Sequence, residues 1–386
     1  MKYKFNGERL KKARIYRGLT VAELAERVDQ HRQTLSMYEI GKSQPSSSLA
    51  EALARTLSFP KQFFYENPTP LSSGTVYFRS LLTTNKKYRS EQMVKMDFLC
   101  RVYAFLQEYI EFPDFIIPDF PANISPIEAA AKLRETWGIG NQPIDNMVSL
   151  VEQHGILVTT FHTSTDDVDA FSKPILIDGE TTFLVAYSSN KTSAARIHFD
   201  IAHELGHICL HEWSEDIDEL SKEEFKKREK QAHDFAAAFL LPAETFGADA
   251  RANPTSLLYY KQLKRKWKVS IAAMIRRAKE LGIISPESYA MLICQMQKRG
   301  QRREEPLDDV LITASPALLK TSVIMLLQEQ VFTAEEFMAE LAKEQELSIY
   351  ASEVEYLLDL PNGTLTPNNI IDLRRTLQLK KPPDSM

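Results

Sequence analysis

The sequence predicts a multidomain, mainly α chain. It has an all-α helix-turn-helix unit at the N-terminus, an α+β core of a small β-sheet and metal-binding helices, and a helical C-terminal region. Three observations carry this. Residues 7–66 read as short helices split by tight turns and are basic, with 12 Lys and Arg against 7 Asp and Glu in residues 1–66. His203-Glu204-Leu205-Gly206-His207 sets two histidines four apart in a helical stretch. Runs rich in β-branched and aromatic residues at 156–161, 175–177 and 183–187 read as strands, while the chain after Pro242 reads as helix.

Composition bounds the function. The 386 residues suffice for two or three domains, and 44% hydrophobic with 26% charged content is ordinary for a globular chain. A net charge of −5 excludes a wholly basic nucleic-acid coat but leaves room for a basic module. Cys100, Cys209 and Cys294 are scattered and form no Cys-x-x-Cys site, which fits a reducing cytoplasm. Met1-Lys-Tyr-Lys-Phe-Asn6 does not read as a signal peptide, and no apolar run is long enough to cross a bilayer. A cytoplasmic location is expected.

In chain order, Leu10, Ala13 and Tyr16 lie at helical spacing and Gly18 stops the first helix. Thr20-Val-Ala-Glu23 is a capping box opening a helix over Val21–Val28. After the turn Asp29-Gln30-His31, a third helix runs from Arg32 to Glu39 and stops at Gly41; Ser46–Leu57 is the next. Two short helices across a tight turn form a helix-turn-helix pattern. Leu19-Thr-x-x-Glu-Leu-Ala25, Arg32-Gln-Thr-Leu-Ser36-x-Tyr-Glu-x-Gly41 and Pro45 resemble the Cro/C1-type helix-turn-helix family, with Gln30 departing from its usual apolar residue. The resemblance implies DNA binding with Arg32, Gln33, Thr34, Ser36 and Met37 on the recognition helix, and Leu35 and Tyr38 turned inward. Gln33 suits adenine and Arg32 guanine or phosphate. A two-fold dimer on a palindromic operator is the expected assembly.

Residues 67–89, opening with Asn67-Pro-Thr-Pro-Leu-Ser-Ser-Gly74, read as a linker. Helices are expected over Ser90–Glu111, from Pro126 (capped by Ser125) to Trp137, and over Ile144–His154, followed by the strands.

The five residues from His203 to His207 carry the chemistry. Side chains four apart share a helix face, so His203 and His207 can offer two nitrogens to one metal, and Glu204 is placed to take a proton from water. A catalytic zinc needs a third ligand. His211 continues the spacing but has drifted around the helix, and Glu212, Glu215 and Asp216 lie too close to fold back. Glu229 is the better candidate, because it sits near the apolar face of Ala232, Phe235, Ala236 and Phe239 on a helix ending at Leu241. A carboxylate there needs a charge partner or a metal.

The pattern Arg196…Phe199-x-x-Ala202-His-Glu-Leu-Gly-His-x-x-Leu-His211, then Glu229-x-x-Ala232-x-x-Phe235-Ala236…Leu240-Leu-Pro242, resembles the ImmA/IrrE family of zinc metallopeptidases. The resemblance implies a zincin-like core over residues 90–250, zinc held by His203, His207 and Glu229, and Glu204 as general base. It departs from the family's usual residues at Asp200 and His233. It also implies an edge strand that aligns substrate, for which Phe183–Tyr187 is the candidate. Asp169-Ala-Phe-Ser172 matches a family stretch without an assigned role.

Beyond the core, 251–303 reads as a helix-turn-helix-like extension, with Arg276 and Arg277 on a solvated face. Residues 304–386 read as a C-terminal helical region with a disordered tail over Leu379–Met386. The two resemblances together imply a bacterial or prophage regulator whose zinc endopeptidase cleaves a repressor or antitoxin-like protein under stress. Two other functions fit the same pattern: a ligand-sensing transcription factor that cleaves nothing, and an antitoxin or interaction module with structural zinc. An intact Glu204 argues against the first, and the absence of a convincing fourth ligand against the second.

Overall fold

The computed structural model describes residues 4–67, 86–121, 123–161, 170–177, 179–190, 193–212, 220–302 and 304–366. The N-terminal unit consists of α1 (Gly7–Tyr16), α2 (Val21–Arg27), α3 (Arg32–Glu39), α4 (Ser47–Leu57) and a 3-10 turn at Lys61–Tyr65. Thr20 and Glu23 form the capping box, and Asn6 and Ser46 cap their helices in the same way, each accepting from an otherwise orphaned backbone N–H. Leu10, Leu24, Leu35, Leu53 and Leu57 fill the core between the helices. Gly7 is required where α1 begins: a Cβ there would lie 2.1 Å from the Tyr38 carbonyl oxygen at the end of α3. A buried pair fixes the other end, where Arg14 grips Glu39 through two bonds at 2.5 and 2.9 Å and donates to the Leu19 carbonyl at 2.7 Å.

The middle of the chain contributes α5 (Lys86–Gln107), α6 (Pro126–Thr136), α7 (Met147–Gln153), β1 (Ile156–Phe161), β2 (Ala170–Ile177) and β3 (Glu180–Ser188). The helix expected from Ser90 begins at Lys86, so residues 86–89 leave the expected linker; its remainder from 68 on lies outside the described residues. The strand order is β1-β3-β2, with β1 parallel and β2 antiparallel to β3. This corrects one expectation. Phe183–Tyr187 lies in the central strand, hydrogen-bonded on both sides, and the edges are β1 and β2. Pro174 fits that placement, because a residue without an N–H is tolerated at a sheet edge.

Both faces of the sheet are buried, and side chains alternate between two cores. Ile156, Val158, Phe183, Val185 and Tyr187 face a core shared with the helices that follow the sheet, while Leu157, Phe161, Phe171, Leu184 and Ala186 face one shared with α5. On the first side lie α8 (Ala194–Leu210) and α9 (Lys222–Leu240), followed by α10 (Ala243–Ala252), α11 (Leu257–Trp267), α12 (Ile271–Glu280) and α13 (Pro286–Lys298). Arg277 departs from its expected solvated position. It is buried and donates from Nε to the Leu241 carbonyl at 3.2 Å, capping the end of α9. The chain then returns to the α5 side as α14 (Leu318–Gln328), α15 (Ala334–Glu344) and α16 (Ala351–Leu357). The expected disordered tail lies outside the described residues.

The N-terminal unit therefore shares a core with α5 and the C-terminal helices, and buried charge marks the junction. Arg9 pairs with Glu66 at 3.0 Å and donates to the Glu346 carbonyl; Glu66 accepts from the Ser348 N–H at 3.0 Å. Removing one partner strands the other as a buried, unpaired charge. Glu66→Gln is expected to destabilise the chain by about 3 kcal/mol or more in urea titration. A loss below about 1 kcal/mol would show that the junction tolerates a lone Arg9.

Candidate metal centre and DNA-facing helix

Helix α8 carries His203, Glu204 and His207, all buried, and α9 carries Glu229. Gly206 lets the two helices meet. A Cβ on it would lie 3.0 Å from both the Cα and the carbonyl oxygen of Ala232, tighter than ordinary packing allows. That approach brings Glu229 to the two histidines. His203 Nε2 and His207 Nε2 lie 3.1 Å apart, and Glu229 Oε2 and Oε1 lie 3.6 and 3.3 Å from them respectively. Ligands of a tetrahedral zinc at ordinary bond lengths are separated by roughly 3.3 Å. The donor set and its spacing fit zinc. Among the described residues this is the group of metal-ligating side chains close enough to hold an ion.

The electrostatics suit the same purpose. Burial pushes the His207 imidazolium down to about 3, keeping the ring neutral with a lone pair to offer. Burial would raise the Glu229 carboxyl, but hydrogen bonding to His203 and His207 outweighs it and holds the group well below the usual carboxylate range. His211, which the sequence left as a weaker ligand, is not in the cluster. Its Nδ1 lies 2.9 Å from His207 Nδ1 and its Nε2 lies 3.3 Å from Gln231 Oε1, so it orients the outer edge of the His207 ring. His233 packs at a tilt against the Phe199 ring and meets Arg276 at 3.1 Å.

Glu204 is held from the sheet. Ser172 on β2, fully buried, donates to Glu204 Oε2 at 2.6 Å. Sequence reasoning gave Ser172 no role, although it closes the family-like stretch beginning at Asp169, itself outside the described residues. Nearer the start of α8, buried His198 accepts the Met147 N–H through Nε2 at 3.4 Å, with Thr313 Oγ1 3.0 Å from the same nitrogen. Burial lowers its pKa to about 4. The folded state thus prefers neutral His198, while the unfolded chain takes up a proton below about 6.5. Its contribution is complete above pH 6.5 and is lost as pH falls toward 4, a loss of roughly 3 kcal/mol. Urea titrations from pH 7 to 4 should show a shallower decline for His198→Gln; equal slopes would assign the acid sensitivity elsewhere.

Residues 151–279 match the M78 peptidase family model, described as an IrrE N-terminal-like domain. Residues 10–64 match a helix-turn-helix family model. The chain thus joins a helix-turn-helix domain of the DNA-binding type to a peptidase-like domain, in that order. No curated protein matches the chain. On α3, Arg32, Gln33, Ser36 and Met37 are exposed and Thr34 is half-buried, while Leu35 and Tyr38 are buried. No helix among the described residues is long and apolar enough to cross a membrane.

Proposed function

We propose that the protein is a cytoplasmic DNA-binding regulator with a zinc-dependent endopeptidase activity directed at a repressor or antitoxin-like protein. The observation that carries this is the spacing of His203, His207 and Glu229 beside a buried Glu204. Zinc held by these three side chains would supply Lewis acidity toward water and the peptide carbonyl. Glu204, the general base, removes a proton from the attacking water and returns it to the leaving amine. Ser172 acts through Glu204: its hydroxyl occupies Oε2 and fixes the carboxylate's rotamer. Strand β2, at the sheet edge beside Glu204, aligns an extended peptide by strand addition. Residues 1–66 form the DNA-binding unit, and Arg32, Gln33, Thr34, Ser36 and Met37 face the operator. The exposed face of α3 and the basic balance of this unit support that assignment.

New protein N-termini are to be catalogued by mass spectrometry in cells under DNA-damaging stress, comparing wild type with Glu204→Gln. Termini seen in wild type alone, within a DNA-binding repressor, are the expected result and identify the substrate. Identical catalogues would overturn the peptidase reading.

A further inference from the structure

On the sheet face opposite the metal helices, α5, β1 and the end of α16 surround a cavity of about 470 Å3. That is within the size range of small-molecule sites. One face of α5 supplies most of its chemistry. Met96 and Leu99, with Phe161 and Phe171 from the strands, make an apolar wall. One turn earlier lie Gln92 and Lys95. Gln92 is only 2% exposed, and its Nε2 finds no hydrogen-bond partner among the described residues. A buried amide donor left this way points to a missing acceptor. Lys95 Nζ is 2.8 Å from Glu91 and has further N–H donors to offer.

We propose that this cavity binds a small amphipathic carboxylic acid, its carboxylate at Gln92 and Lys95 and its apolar body against Met96, Leu99, Phe161 and Phe171. The rim formed by α16 and the residues after it favours this placement. Glu355 there is negative and already accepts the N–H groups of Leu365 and Thr366 at 2.7 and 3.0 Å, and Asp359 adds a second carboxylate. A ligand carboxylate is repelled from that rim and drawn to the α5 end.

The position of the cavity connects it to both ends of the protein. Lys95 Nζ lies 5.8 Å from the Tyr16 ring centroid on α1 and 5.6 Å from that of Tyr356 on α16. Glu353 of α16 accepts from the Tyr16 hydroxyl and pairs with Arg17, each at 2.7 Å. Phe171 lines the cavity while its neighbour Ser172, on the other face of β2, holds Glu204. A ligand that recruits Lys95 therefore alters contacts made by the DNA-binding unit. Binding in this cavity is independent of peptidase activity.

The test is calorimetric titration of the full chain with octanoate and phenylacetate, with octan-1-ol and octylammonium as controls of like chain and different head. The expected result is saturable binding of at least one acid. Both controls, and octanoate on Lys95→Met or on Ala186→Leu, which fills the cavity, should bind about tenfold more weakly or worse. Octanoate binding should be unchanged in Glu204→Gln. No saturable binding by either acid, or octylammonium binding as well as octanoate, would overturn the proposal. So would octanoate binding undiminished in Ala186→Leu with wild-type melting; if that variant does not fold, Lys95→Met decides.

Discussion

Replacing Glu204 by Gln is expected to leave zinc at one ion per chain and to lower peptide cleavage by roughly 10³-fold, about 4 kcal/mol of barrier. The proposed ligand atoms lie on His203, His207 and Glu229, so on that reading the amide removes a proton acceptor and no ligand. The buried setting sharpens the effect. Glu204 is 2% exposed and is held by Ser172 at 2.6 Å, so bulk water cannot readily take over its role. Zinc content by elemental mass spectrometry and cleavage of the substrate found from the N-terminal catalogue are the two readouts. Cleavage within tenfold of wild type would remove Glu204 as base. Loss of zinc would make it a ligand.

Glu229→Ala should have the second large effect, weakening zinc binding by roughly 10³-fold or more in competition with a chelator. Outer-shell partners of metal ligands contribute about 10–100-fold, and a direct ligand contributes more. Without the carboxylate, two imidazoles remain with their Nε2 atoms 3.1 Å apart, an incomplete site for a tetrahedral ion. His211 supplies the internal comparison. It touches His207 without joining the cluster, so His211→Gln should fall in the outer-shell range. If the two variants weaken zinc equally, the third ligand is not Glu229 alone.

Much of the site was legible because it is local. His203 and His207 share a helix face through four-residue spacing, and Glu204 follows from adjacency. The capping box at Thr20 and the Ser125–Pro126 helix start were readable for the same reason: their hydrogen bonds span three residues. Glu229 required one further argument, that a carboxylate beside an apolar face needs a partner. Ser172 had no such signal. Its bond to Glu204 spans 32 residues, and Pro174 interrupts the alternation that marks a strand in β2. The misplaced edge strand has a related cause. Phe183–Tyr187 reads as a strong strand, but composition does not show which neighbours pair with it. Arg277 reads as solvated from sequence because its basic surroundings do not show that the end of α9 covers it.

By itself the sequence determined the helix-turn-helix pattern, the histidine pair with Glu204 beside it, and the mainly helical character of the chain. Each follows from short-range geometry or from the periodicity of one element. Only the tertiary structure decided that β3 is central, that Ser172 holds Glu204, and that the N-terminal unit shares a core with α5 and the C-terminal helices. Glu66 reaching Ser348 across 282 residues shows why. Such contacts arise from the joint packing of several apolar faces and the pairing of charges trapped between them, and no local window of the chain contains both partners.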